Sequence, residues 1–374
     1  MQSISQKLIG LRVQSARKAA NLKQDELSEK LGFNDRQILS SIENGSRNLK
    51  SSELLQLADI LGRDLEFFID PFAVAGEAKF SWRAAPELPE DNLNNFELTA
   101  GKWIGLLRWL REQQSSQVSV LKRALRISDQ SSYEDAQACA ESLVDELELG
   151  VIPAEALIEK IERDLDIPVL FVDALQTADG KAISGATCHL DNMAAILINR
   201  NESEARRYFD LAHELFHALT WDTMQPAHRE SNAVEVRSNS RITRIEQLAD
   251  NFAAALLMPR KALEKLIDLT KKNDTAHLLQ VAALLRVSPM ALAYRLFNLK
   301  LITLETKQTL VQEKRRASVA ETPKRFSANF VALLHESIDK GRLSAKKAAK
   351  TMGMSLPGLL ELFDQHNLSA PYEL

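Results

Sequence analysis

Cysteine is nearly absent. Cys139 and Cys188 are the only two in 374 residues, too few for a disulfide framework and without paired metal-ligand spacing, so both read as packed thiols suited to a reducing cytoplasm. Glycine (13), proline (11) and aromatic residues (6%) are scarce, which excludes collagen-like and low-complexity chains and leaves strands a minority in a mainly α fold. No apolar run approaches the roughly 20 residues that a spanning helix needs, and the N-terminus lacks the basic start and apolar block of a signal peptide. The expectation is a cytoplasmic protein with no membrane partner. The formal net charge is −4, so any hold on nucleic acid must come from local charge. The length exceeds one compact core and predicts two or three domains.

Local charge is present at the start of the chain. The first 50 residues carry 9 Lys and Arg against 5 Asp and Glu, and residues 51 to 70 reverse the balance, 1 against 5. Leu8, Leu11, Val13 and Ala16 predict a first amphipathic helix, and Gln24 to Leu31 a short second one. Gly32 supplies the left-handed corner, and Asn34 is a candidate cap for a third helix from Asp35 to Glu43. That helix buries Ile38 or Leu39 together with Ile42 and leaves Arg36, Gln37, Ser40 and Ser41 open. Arg pairs bidentately with guanine, Gln with adenine, and hydroxyls serve base or phosphate. A helical protein-interaction module with a glycine corner is the bland alternative.

Leu22-Lys23-Gln24-Asp25-Glu26-Leu27, Gly32 and Ile42-Glu43-Asn44-Gly45-Ser46-Arg47 resemble the Cro and phage-repressor (XRE) helix-turn-helix. The resemblance implies a five-helix DNA-binding domain over residues 1–72, with Gln24 and Arg47 on phosphates and Arg36, Gln37 and Ser41 at base edges of double-stranded DNA. A homodimer is expected.

Residues 73–149 read as linker and helical support, with Pro71, Gly76, Pro86 and Pro89 marking a loop-rich connection where chemistry is not expected. Trp103, Leu106, Leu107 and Leu110, then Tyr133 to Leu149, have helical spacing. Ile167 to Val172 and Ala194 to Asn199 predict strands, with Ile183 to Ala186 a further strand or turn between them. Beyond residue 300 a charged linker from Glu313 to Arg325 precedes a C-terminal helical region. Its helix-corner-helix unit (Ser344 to Met352, Gly353, Leu356 to Phe363) resembles in shape the one around Ser288, and both suit packing or dimerisation better than DNA.

The chemistry concentrates in His213-Glu214-Leu215-Phe216-His217. Asn201 with Glu204 predicts a capped helix on which His213 and His217 project from adjacent turns of one side, so both imidazoles can bind one ion. Glu214 points elsewhere and can hold a water. A chain of this size meets the pattern by accident roughly once in a hundred times, given ordinary residue frequencies, so packed structural histidines are the weaker account. A catalytic zinc needs a third protein ligand and an open fourth position. Glu246 and Asp250 lie one turn apart beside a stripe of Ile245, Ala249, Phe252 and Leu256. Glu246 as third ligand leaves a site of charge about +1, and Asp250 can orient an imidazole. The alternative makes Thr243 an N-cap and Glu246 its capping-box partner. His228 is a fallback ligand, and Tyr208, His228 and Tyr294 are candidates for stabilising an oxyanion.

Ile183-Ser184-Gly185-Ala186, Ile198-Asn199, Arg207 through His217 and Ala249 through Pro259 resemble the ImmA/IrrE metallopeptidases over residues 150–300. The resemblance implies an α+β zincin-like domain with a small sheet. It further implies a gluzincin-like site with His213, His217 and Glu246 on Zn2+, Glu214 as general base, and a repressor or partner protein as substrate. Fusion of both halves suggests a bacterial transcription regulator of stress, mobile-element or toxin-antitoxin loci. The rival is a non-catalytic antitoxin-like repressor that keeps the zincin fold as a metal or protein sensor.

Overall fold

A computed structural model describes residues 5–113, 124–175, 182–230, 241–313 and 321–372. The chain divides into two compact units, one of residues 1–79, 90–118 and 329–374, the other of residues 80–89 and 119–328.

The first unit opens with α1 (Gln6–Ala19), α2 (Gln24–Lys30), α3 (Arg36–Glu43), α4 (Ser51–Leu61) and α5 (Leu65–Ile69). Their apolar stripes meet in a core of Val13, Ala16, Leu27, Leu39, Leu57 and Phe68. Gly32, at φ +71, turns the chain between α2 and α3. Asp35 rather than Asn34 caps α3, its Oδ1 accepting from Gln37 N at 2.8 Å, because Asp35 is the residue that immediately precedes the first helical one. The fully buried member of the Ile38/Leu39 pair is Leu39. α1 crosses α3 so closely that a Cβ on Gly10 would stand 2.2 Å from the Ile42 carbonyl oxygen.

The segment expected to be a loop-rich connection contains β1 (Lys79–Ala84), followed by α6 (Glu90–Gln113). β1 escapes a local reading because its partners are distant in sequence. The second unit continues with α7 (Tyr133–Glu146), α8 (Pro153–Asp164), β2 (Val169–Val172), β3 (Ile183–Leu190) and β4 (Met193–Asn199). The strand order is β1-β3-β4-β2. β2 runs parallel to β4, with Val169 opposite Ile196, and β3 runs antiparallel to it, with Gly185 opposite Ile198. The span from Ile183 to Ala186 is therefore strand and not turn.

α9 (Glu204–Thr220) packs on β3 and β4, and α10 (Arg241–Leu257) packs on α9 and α7. Asn201 does not cap α9. The helix begins after Ser203, and Asn201 N donates to Asn199 Oδ1 at 3.1 Å. α11 (Arg260–Leu266), α12 (Thr275–Leu284), α13 (Pro289–Asn298) and α14 (Leu304–Gln312) complete the unit, with Ser288 Oγ capping α13 at Ala291 N, 3.1 Å. Most of the charged linker, residues 314–320, lies outside the described residues.

α15 (Ala328–Asp339), α16 (Ala345–Met352) and α17 (Leu356–Gln365) return the chain to the first unit. Trp103 Nε1 donates to Met352 O at 3.2 Å. Glu66 on α5 accepts from Lys347 at 3.0 Å and Lys350 at 2.6 Å. No single described helix is long and apolar enough to cross a membrane.

Candidate metal centre

α9 is buried continuously from Asp210 to Thr220, since the sheet covers one side and α10 another. Phe216 and Phe252, both fully buried with rings 5.4 Å apart, lock the two helices together. This registers His213 and His217 against Glu246. The Nε2 atoms of the two histidines stand 3.0 Å apart. Glu246 Oε2 lies 3.2 Å from His213 Nε2 and 3.5 Å from His217 Nε2. A fourth donor joins them: Glu230 Oε2 is 3.4 Å from His213 Nε2, and Glu230 Oε1 is 3.7 Å from His217 Nε2. The four donor groups lie within 4.8 Å of one another and all are buried.

These distances suit a cation. Four ligands at 2.0–2.1 Å around a tetrahedral ion stand about 3.4 Å apart, close to the separations observed. Charge points the same way. Asp210, Glu230 and Glu246 are all buried, and among the described residues the arginines paired with this group, Arg83 and Arg206, both meet Asp210. Buried carboxylates in such excess need a positive partner. The donor set of two imidazoles and two carboxylates fits a divalent cation of the zinc type.

The surrounding groups fix the donors. His213 Nδ1 meets Asp250 Oδ1 at 2.9 Å. Burial and Arg83 both oppose charge on His213, but the bonds to Asp250, Glu230 and Glu246 outweigh them and hold its pKa well above the ordinary range. Burial likewise works to raise the Glu246 carboxyl, and His217 and His213 overcome it to hold the group below the usual carboxylate range. Asp250 is also held low: burial opposes this, while the bond to His213 and the charges of His213 and Arg83 prevail. Glu214 stands outside the donor set. Thr187 Oγ1 lies 2.8 Å from its Oε2, its Oε1 is buried with no hydrogen-bond partner, and burial, then the charge of Glu230, raises its pKa well above the ordinary value.

The structure thus brings His213, His217, Glu246 and Asp250 together, with Glu214 beside them. Thr243 lies within α10 rather than at an N-cap. The fallback ligand His228 is exposed and its ring is not among the four donors. The candidate oxyanion partners Tyr208 and Tyr294 engage Arg286 and Lys307. Sequence reasoning missed Glu230, Arg83 and Thr187, none of which has helical spacing to the histidines.

In the first unit, Arg36 and Gln37 are exposed and Ser40 and Ser41 half-buried on α3. Arg36 makes only an exposed 3.5 Å pair with Asp25. Gln24 Nε2 donates to Glu43 Oε2 at 2.8 Å, and Arg47 holds Glu53 through two bonds of 2.9 and 2.7 Å. Glu43 is itself gripped by Arg17, at 2.6 and 3.1 Å.

Residues 13–68 match the helix-turn-helix family model, and residues 163–297 match that of the M78 peptidases, the IrrE N-terminal-like domain. The chain joins a helix-turn-helix module to an IrrE-like domain. The first supports a DNA-binding regulator and the second a peptidase-family domain. No curated protein matches. Among solved structures, the apo form of the competence regulator ComR from Streptococcus vestibularis is aligned over 94% of this chain and 100% of its own, at 12% identity and TM-score 0.17. All four donors and Glu214 fall within the IrrE-like span, whereas Trp82 and Arg83 on β1 lie outside it.

Proposed function

We propose that the chain is a DNA-binding transcription regulator whose IrrE-like domain is a zinc-dependent endopeptidase acting on a repressor or partner protein. The observation that carries this reading is the convergence of His213, His217 and Glu246 on one buried point, with Glu214 on the same helix but outside the donor set. When bound there, zinc supplies Lewis acidity toward a peptide carbonyl and acidifies water. His213, His217 and Glu246 hold it, and Asp250 fixes the His213 ring through Nδ1. Glu214, free at Oε1 and made basic by burial, takes the proton of an attacking water and returns it to the leaving amine. Thr187 orients that carboxylate. α3 presents Arg36, Gln37, Ser40 and Ser41 to the major groove, with Gln24 and Arg47 toward phosphates once they exchange Glu43 and Glu53 for DNA.

Glu230 favours a second reading, a non-catalytic sensor, because a fourth protein donor fills the position a peptidase leaves open. One experiment separates them: metal content of the purified protein, and cleavage of repressors encoded beside its gene, for wild type and Glu214→Gln. The peptidase reading expects metal in both and hydrolysis about 10²-fold or more slower in the variant. A metal-loaded wild type that cleaves none of those proteins, with cells carrying Glu214→Gln responding normally, supports the sensor.

A further inference from the structure

Glu230 belongs to two places at once. It is one of the four buried donors, and it is the one of them that lines a cavity of about 240 Å³ bounded also by Arg83, Ser184, Glu202 and Arg206. Glu230 therefore adjoins both the metal point and that cavity. A short pairing holds it there. Trp82 N donates to His228 O at 2.9 Å and Glu230 N donates to Trp82 O at 3.0 Å, forming an isolated parallel bridge between Trp82 and Arg229 on the edge strand β1. Ser81 Oγ reaches Ala227 O at 2.8 Å and Glu230 Oε1 at 3.2 Å, and Arg229 bonds the carbonyl of Leu88 at 2.8 Å.

We propose that Glu230 is the fourth ligand of the metal and closes the site, so that the IrrE-like domain is latent until residues 228–230 leave the edge of β1. The inference rests on the reading that His213, His217 and Glu246 hold a metal. Two imidazoles and two carboxylates neutralise a divalent ion, and four protein ligands leave no position for water or a carbonyl oxygen. Releasing Glu230 restores an open position facing the cavity that it lines. Because the hold runs along a sheet edge, through two backbone bonds, the Ser81 hydroxyl and Arg229 on the carbonyls of Ala85 and Leu88, release is a local event rather than an unfolding of the core.

The test uses the full chain loaded with Co2+ and probed with azide. The wild type is expected to bind cobalt in a four-coordinate site whose visible absorption azide does not alter. Glu230→Ala and the size-conserving Glu230→Gln are expected to bind cobalt at least tenfold more weakly, since even outer partners of a metal ligand contribute about 10–100-fold, and their absorption should shift with azide. Ser81→Ala, which loosens the hold on Glu230 without replacing any of the four donors, should give partial access. Cobalt bound equally tightly by wild type and both Glu230 variants, or a wild-type spectrum that azide shifts as readily as theirs, overturns the proposal while leaving the metal reading intact. A wild type that binds no cobalt overturns both.

Discussion

His213 Nδ1 and Asp250 Oδ1 stand 2.9 Å apart, so the same ring that turns Nε2 toward Glu246 is anchored from behind by the next turn of α10. Replacing Asp250 with Asn keeps its size and removes its charge. Metal affinity should fall about 10–100-fold, measured by competition with a chelator. Unchanged affinity would mean that Asp250 only shields the helix surface.

Among the described residues, Thr187 gives Glu214 its one side-chain hydrogen bond, at 2.8 Å. Thr187→Val preserves shape and leaves a buried carboxyl without a partner. Stability should drop by about 1–3 kcal/mol, read as a lower denaturant midpoint at constant slope. A midpoint matching the wild type would show that Glu214 finds another partner.

Glu43 is buried and gripped by Arg17 while also holding Gln24. Glu43→Ala strands a buried guanidinium and should destabilise the helix-turn-helix by about 3–5 kcal/mol. Circular dichroism during thermal unfolding would reveal it, and an unshifted transition would contradict the buried-pair account.

Exposed Arg36 and Gln37 on α3 should carry discrimination between sequences. Changing either to Ala should cost roughly 1–3 kcal/mol on the specific site and spare non-specific DNA. Equal losses on every sequence, in titrations at fixed salt, would place these residues on phosphates instead.

Glu66, bonded by Lys350 and Lys347, is held down from 4.5 to about 2. A depressed carboxylate contributes stability that is present above its unfolded value and lost as pH falls from about 4.5 toward about 2. The side chain is 39% exposed, so solvent screening limits the contribution to below about 1 kcal/mol. Acid titration of wild type against Glu66→Gln should show a shallower decline in the variant, and identical curves would remove the pair from the acid response.

What the sequence revealed follows from the reach of helical periodicity. His213 with His217, and Glu246 with Asp250, sit one turn apart, so each pair shares a face wherever its helix docks. Ser288 likewise acts on the amide three residues on. Glu230 and Arg83 obey no such rule. Both are placed by β1, whose pairings to β3 and to Arg229 join residues far apart in the chain, and the prolines flanking it resemble loop punctuation. The caps mistaken by one or two residues, Asn34 for Asp35 and Asn201 for Ser203, arise because neighbouring polar residues are equally fit to cap and tertiary packing chooses between them.

Residues 329–374 belong to the same unit as residues 1–79, and residues 119–328 are made between them. During translation the four candidate metal donors are all in place before Lys347 and Lys350 exist to meet Glu66. The helix-turn-helix unit is therefore completed only after the second unit, although its own α1 to α5 are made before it. A stop codon or frameshift falling shortly before residue 329 would leave every donor of the metal site encoded while stripping the first unit of α15, α16 and α17. Late truncation alleles should accordingly separate the two units genetically, weakening the first while leaving the second, with His213, His217, Glu230 and Glu246, intact.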